Sequence, residues 1–370
     1  MSIGVLVVDD SAVSRAVLSA TLLARPEFRV MGHATNGREA LEKIQSLSPD
    51  LVTMDLRMPI MNGLDTIEAV MATHPVPIVV VSGVSDAATA LECVERGALE
   101  VVAKEALESS DLDALAERLM LLARVRVIRH VRRSQKGRSP SLSPSSPGRA
   151  VRGEAHWLAP LRTRSCSSGG SAPARPPAPS VEPPIVALAA STGGPRALAQ
   201  VLRSLPPVCD AAILVIQHIP EGFDTGLAQW LSSVSPHPVA IAKPGEIPPR
   251  GAVRLAPAGH HLTLDSGGRL QLDQTPRIQG LRPAAERLFA SLSEHHAERT
   301  FAVVLSGLGA DGAKALRRLR DLGAQTAVQD RESATVWGMP KAALEAGGAA
   351  SGSSLEEIAG AIGAWRGGHP

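Results

Sequence analysis

Ile185-Val186-Ala187-Leu188-Ala189-Ala190-Ser191-Thr192-Gly193-Gly194-Pro195 is an apolar run that stops abruptly at a hydroxyl residue, two glycines and a proline. The run has the length of a buried parallel strand and the glycines permit a tight turn. Pro195, whose φ is already near the helical value, suits the first position of a helix over Arg196 to Leu205. Ser191 is therefore expected at the carboxyl end of a strand, with its Oγ exposed. The helix dipole and the backbone N–H groups around Thr192, Gly193 and Gly194 are then available to an oxyanion. Taken alone, such a turn is equally a helix cap or a phosphate cradle.

Two further strands end in matching residue types. Ala211 to Gln217 delivers His218 into Ile219-Pro220-Glu221-Gly222, and Phe301 to Ser306 delivers Gly307-Leu308-Gly309-Ala310-Asp311-Gly312 before a helix over Ala313 to Leu322. Singly, His218 reads as well as a structural histidine and Asp311 as a turn or N-cap residue. Together they converge, because open α/β sheets form their sites at the carboxyl ends of strands. That set predicts acyl transfer with Ser191 as nucleophile, His218 as general base and then acid, and Asp311 orienting the imidazole. The order Ser, His, Asp and the missing G-x-S-x-G elbow disfavour the α/β-hydrolase fold. No Cys/His pair or cluster of metal ligands accompanies this site, which disfavours thiol and metallohydrolase chemistry.

The N-terminal third carries a second constellation. Ile3 to Val8 reads as a strand ending at Asp9-Asp10-Ser11, Leu51 to Met54 as one ending at Asp55, Ile78 to Val81 precedes Ser82, and Val101 to Ala103 precedes Lys104. Helices over Ala12 to Arg25, Gly37 to Gln45 and Leu64 to Ala72 alternate with these strands. The hard oxygens of Asp9, Asp10 and Asp55 suit Mg²⁺. Asp55 is placed to accept a phosphoryl group, with Lys104 and Ser82 contacting its oxygens.

These residues resemble two known modules. Val5 to Ser11, Met54 to Asp65, Ser82-Gly83 and Lys104 resemble a response-regulator receiver domain over residues 1–122. Ser191 to Pro195, Gln217 to Pro220, Leu255 to His261, Ser306 to Gly312, Gln329-Asp330 and Gly338 to Pro340 resemble the methylesterase domain of chemotaxis protein-glutamate methylesterases over 181–366. The resemblance implies phosphorylation-regulated hydrolysis of glutamate methyl esters on chemoreceptors with release of methanol, and deamidation of receptor glutamines. It also implies a histidine kinase as phosphodonor, Mg²⁺ at the receiver and no cofactor for the esterase step. It carries the catalytic roles to Ser191, His218 and Asp311, the oxyanion site to Thr192, and phosphorylation to Asp55. Leu308 stands where that family has methionine, Leu281 where it has histidine, Glu105 where it has proline, and Val101 where it has a switch aromatic.

Composition fits this organisation. The 370 residues, 44% of them hydrophobic, suffice for two cores, and a net charge of +2 makes no case for nucleic acid. No apolar run approaches a membrane span, and Cys93, Cys166 and Cys209 are few and scattered, so the chain is expected to be soluble, cytoplasmic and without membrane insertion. A basic stretch from Arg124 to Arg138 leads into a Ser-, Pro- and Gly-rich tract, so residues 123–180 read as a flexible linker in which Trp157 is the one aromatic. The expected architecture is two doubly wound parallel-sheet domains, flavodoxin-like and then Rossmann-like. The unphosphorylated receiver is expected to pack over the esterase crevice. Two other functions compete with this reading: a non-catalytic, phosphorylation-controlled docking module and a DNA-binding response regulator. The second lacks any recognition helix with base-reading side chains.

Overall fold

The computed structural model describes residues 2–83, 87–104, 112–125, 127 and 182–367. Glu105, Cys166, Trp157 and nearly all of the segment read as a linker lie outside the described residues.

The first half alternates β1 (Ile3–Val8), α1 (Ala12–Leu23), β2 (Phe28–Ala34), α2 (Gly37–Leu47), β3 (Leu51–Met54), α3 (Gly63–Thr73), β4 (Ile78–Ser82), α4 (Ala87–Glu95), β5 (Glu100–Ala103) and α5 (Leu112–Leu122). Its five strands are all parallel in the order β2-β1-β3-β4-β5. Alternation along β1 divides the core: Leu6 and Val8 pack with α2, α3 and α4, while Val5 and Val7 pack with α1 and α5. The helices start where short polar side chains satisfy their first amides. Ser11, Asn36 and Asn62 accept from Ser14, Glu39 and Asp65 respectively.

The second half runs β6 (Ile185–Ala190), α6 (Gly194–Ser204), β7 (Ala212–Gln217), α7 (Asp224–Val234), β8 (Val239–Ile241), β9 (Val253–Leu255), β10 (His261–Leu264), β11 (Leu270–Asp273), α8 (Ala285–His295), β12 (Thr300–Val304), α9 (Ala313–Asp321), β13 (Gln325–Gln329), α10 (Met339–Glu345), β14 (Gly352–Ser353) and α11 (Leu355–Ala364). Seven parallel strands lie in the order β14-β13-β12-β6-β7-β9-β8. β6 is apolar throughout because both its faces are covered. Val186, Leu188 and Ala190 meet α6, α7 and α11, whereas Ile185, Ala187 and Ala189 meet α8, α9 and α10.

Both halves thus have the doubly wound parallel sheets expected of the sequence, with one addition. β10 and β11 form a separate antiparallel hairpin, with His261 opposite Asp273 and Leu264 opposite Leu270. It packs on α8.

The two halves share a packed boundary. Leu91 of α4 belongs to the core formed by α6 and α7, and Phe223, which precedes α7, belongs to the core of the first sheet. Trp230 Nε1 donates to Glu95 Oε2 at 3.4 Å, and Arg203 pairs with Glu95 at 3.6 Å.

Candidate functional site

In the second sheet the chain leaves β6 toward β7 on one side and later returns along β12 on the other, so the winding reverses at β6. A crevice opens at the carboxyl ends of strands where winding reverses. Ser191 follows β6, His218 follows β7, and Asp311 follows β12 by way of the Gly307-to-Ala310 loop. Ladder bonds continue past the strand ends. His218 N–H donates to Ala190 O at 3.0 Å and Ser191 N–H to Ser306 O at 3.0 Å, which brings the three loops into one register.

His218 and Asp311 are joined directly, with Nε2 of the ring 2.9 Å from Asp311 Oδ2. Nδ1 of the same ring is buried without a hydrogen-bond partner, so it is the nitrogen left to serve a hydroxyl. Burial pushes the Asp311 carboxyl up, but the bond from His218 and the amides of Glu286 and Ala285 outweigh it and hold the group below the usual carboxylate range. Asp311 is thereby kept as an anion beside the imidazole.

Ser191 departs from expectation in one respect. It is only 7% exposed, not presented freely to solvent. It shares a 770 Å³ cleft with His218, Leu281, Arg282, Leu308 and Gly309, and the opposite wall comes from the first half through Val102, Ala103, Leu115, Arg118 and Leu121. Thr192 is also buried: its Oγ1 donates to Glu100 Oε2 at 3.1 Å, and Glu100 is itself paired with Arg118. Glu100 begins β5, one residue ahead of the strand read from the sequence, and that register carries its carboxylate into the boundary.

Close approach explains the glycines. Gly193 caps α6 at φ 73°, and a Cβ there would lie 2.4 Å from Thr335 Cβ and 2.8 Å from Ser306 Oγ. Gly194 N–H turns back to Ser191 O at 2.8 Å. Pro195 is the second helical residue, one later than expected. Gln217 carries no catalytic signature in the sequence, yet its Nε2 donates to both Ser191 O, at 2.8 Å, and His218 O, at 2.9 Å.

The second cluster lies at the carboxyl end of the first sheet. Asp9, Asp10 and Asp55 bring one oxygen each to within 4.8 Å of one another. Lys104 Nζ bridges Asp9 Oδ2 at 2.9 Å and Asp55 Oδ1 at 3.0 Å. Burial raises the Asp55 carboxyl, the neighbouring Asp9 charge adds to this, and Lys104 only partly offsets it. An anionic oxygen set under mutual repulsion fits a hard divalent cation such as Mg²⁺. Ser82 is buried at the end of β4, and Val101 is buried in β5. Among the described residues no helix is long and apolar enough to cross a membrane.

Fold and paired strand-end sites define a two-part protein, a receiver followed by a hydrolase domain of the methylesterase type. The response regulator receiver domain model matches residues 5–117 and the CheB methylesterase model residues 186–362. The protein-glutamate methylesterase/protein-glutamine glutaminase of Geobacillus kaustophilus is 38% identical over 367 residues, covering 98% of each chain. The protein of the same name from Symbiobacterium thermophilum is 37% identical over 362 residues, 97% of this chain and 96% of that one. The crystal structure of the Thermotoga maritima CheB methylesterase catalytic domain, 35% identical, covers 49% of this chain and 98% of that one with a TM-score of 0.48. The chain belongs to the protein-glutamate methylesterase/protein-glutamine glutaminase family of hydrolases.

Proposed function

We propose that the protein hydrolyses glutamate γ-methyl esters on methyl-accepting chemoreceptors, and deamidates receptor glutamines, under control of a phosphorylated receiver in the cytoplasm. The observation that carries this reading is the His218–Asp311 pair beside Ser191 at three adjacent strand ends. Ser191 Oγ attacks the ester carbonyl carbon while His218 Nδ1 takes the hydroxyl proton, and Asp311 stabilises the imidazolium so formed. Collapse of the tetrahedral intermediate breaks the ester C–O bond, and His218 returns the proton to the departing oxygen as methanol. Water then attacks the acyl-Ser191 ester with His218 again as base. The glutamate carboxylate leaves and the Ser191 hydroxyl is restored. With a glutamine side chain the same route releases ammonia. Thr192 and Gly193 form the turn proposed to bind the oxyanion, whereas Gly194 N–H, also expected there, is committed to Ser191 O.

In the receiver, Asp55 accepts the phosphoryl group from a histidine kinase, with Lys104 and Ser82 contacting its oxygens. Asp9, Asp10 and Asp55 would hold Mg²⁺, which when bound supplies positive charge against the phosphoryl oxygens. We assign residues 1–122 to the receiver, 123–180 to the linker and 181–366 to the hydrolase domain. Regulation is attributed to the shared cleft: receiver residues wall the space that a receptor helix must enter, and phosphorylation shifts the population toward an open arrangement.

The test is methanol release from methylated receptor membranes by wild type and Ser191→Ala, each with and without a small-molecule phosphodonor and Mg²⁺. Activity that requires Ser191 and rises with phosphodonor supports the whole reading. Absence of wild-type activity toward a matched receptor, with Asp55 demonstrably phosphorylated, would transfer it to a non-catalytic docking module.

A further inference from the structure

Two helices of the hydrolase domain exchange their caps. Asp311 lies just before α9, yet Oδ2 accepts from Ala285 N–H at 2.6 Å and Oδ1 from Glu286 N–H at 3.0 Å, both in the first turn of α8. Glu286 returns the arrangement: its Oε2 accepts from Ala315 N–H at 3.3 Å, in the first turn of α9. The local cap residues, Ala284 and Gly312, provide no side-chain cap of their own. Each helix N-terminus is thus closed by a carboxylate borrowed from the other.

The exchange bears on the hydrolytic site because Asp311 lies two residues ahead of α9, whose first turn the Glu286 side chain caps while the Glu286 amide itself holds Asp311 Oδ1. We propose that Glu286 is a positioning residue for hydrolysis, fixing the start of α9 so that the Asp311 carboxylate stays against His218 Nε2. The assignment rests on the Ser191–His218–Asp311 reading above. Burial raises the Glu286 carboxyl above its ordinary range and the Asp311 charge adds to that. Among the described residues, the charged groups facing the pair are Lys314 of α9, which acts on Glu286, and His218, which acts on Asp311.

The test uses the full chain with phosphodonor and Mg²⁺, reading methanol release from methylated receptor membranes as kcat and KM across pH. Glu286→Ala removes the cap and is expected to lower kcat about tenfold with KM nearly unchanged, since misplacement of a catalytic group acts on turnover. Glu286→Gln keeps an acceptor for Ala315 N–H and is expected to recover most of the turnover. Should Glu286→Ala fail to fold, as judged by its thermal transition, Glu286→Asp, whose shorter side chain does not reach Ala315 N–H, decides alone, and a wild-type kcat in that folded variant overturns the proposal. Variants that match wild type at every pH also overturn it, provided Ser191→Ala is inactive. An active Ser191→Ala would instead overturn the reading on which the proposal rests.

Discussion

One nitrogen of Gln217 donates to the carbonyls of both Ser191 and His218, so the proposed nucleophile and base are referenced to a single side chain. Gln217→Ala leaves both carbonyls without that donor and frees the two loops to move independently. Its kcat in the methanol assay is expected to fall about tenfold or more at unchanged KM, because sub-ångström alignment is what the amide supplies. At the other site, the folded-state carboxyl of Asp55 titrates above its unfolded value. The folded receiver therefore binds that proton more tightly than the unfolded chain. Stability falls as pH rises from the unfolded carboxylate range toward the raised folded value, and the deficit persists at higher pH. Asp55→Asn is accordingly expected to raise the thermal midpoint at neutral pH in metal-free buffer, with the gain shrinking as pH falls to about 4. A lower midpoint at neutral pH would contradict this account.

At the scale of elements, the strand ends are legible in the sequence and what crosses between elements is not. Ser191, His218 and Asp311 can be read because each follows an apolar run, and β7, β6 and β12 are neighbours in the sheet. The β10–β11 hairpin is harder to see, although His261-Leu262-Thr263-Leu264 alternates with period two, the signal of a half-buried strand. Its four-residue strands are short enough to pass as loop. The burial of Ser191 and Thr192 has no local signature at all, since Glu100 lies 92 positions away in sequence. Glu286 is equally silent: an acid in the first turn of a helix reads as favourable to its own dipole, whereas here it serves the neighbouring helix.

At the scale of the whole molecule, the boundary between the halves is apolar at its centre and charged at its edge. Leu91 sits within the core of the hydrolase domain, and Glu95 reaches Trp230 and Arg203 at the margin. Leu91→Arg places an unpaired charge in that apolar contact and is expected to raise the activity of the unphosphorylated protein about tenfold, toward the phosphorylated level. Methanol release without phosphodonor measures it, and an activity unchanged from wild type in a folded variant would remove the boundary from regulation. The cleft described above is walled on one side by the receiver, so under the proposed function receiver and receptor helix would compete for the same ground. Competitors of this kind obey mass action. On that proposal a dense field of receptors would draw the enzyme open by its own abundance, and the phosphoryl group would set how crowded that field must be before it does.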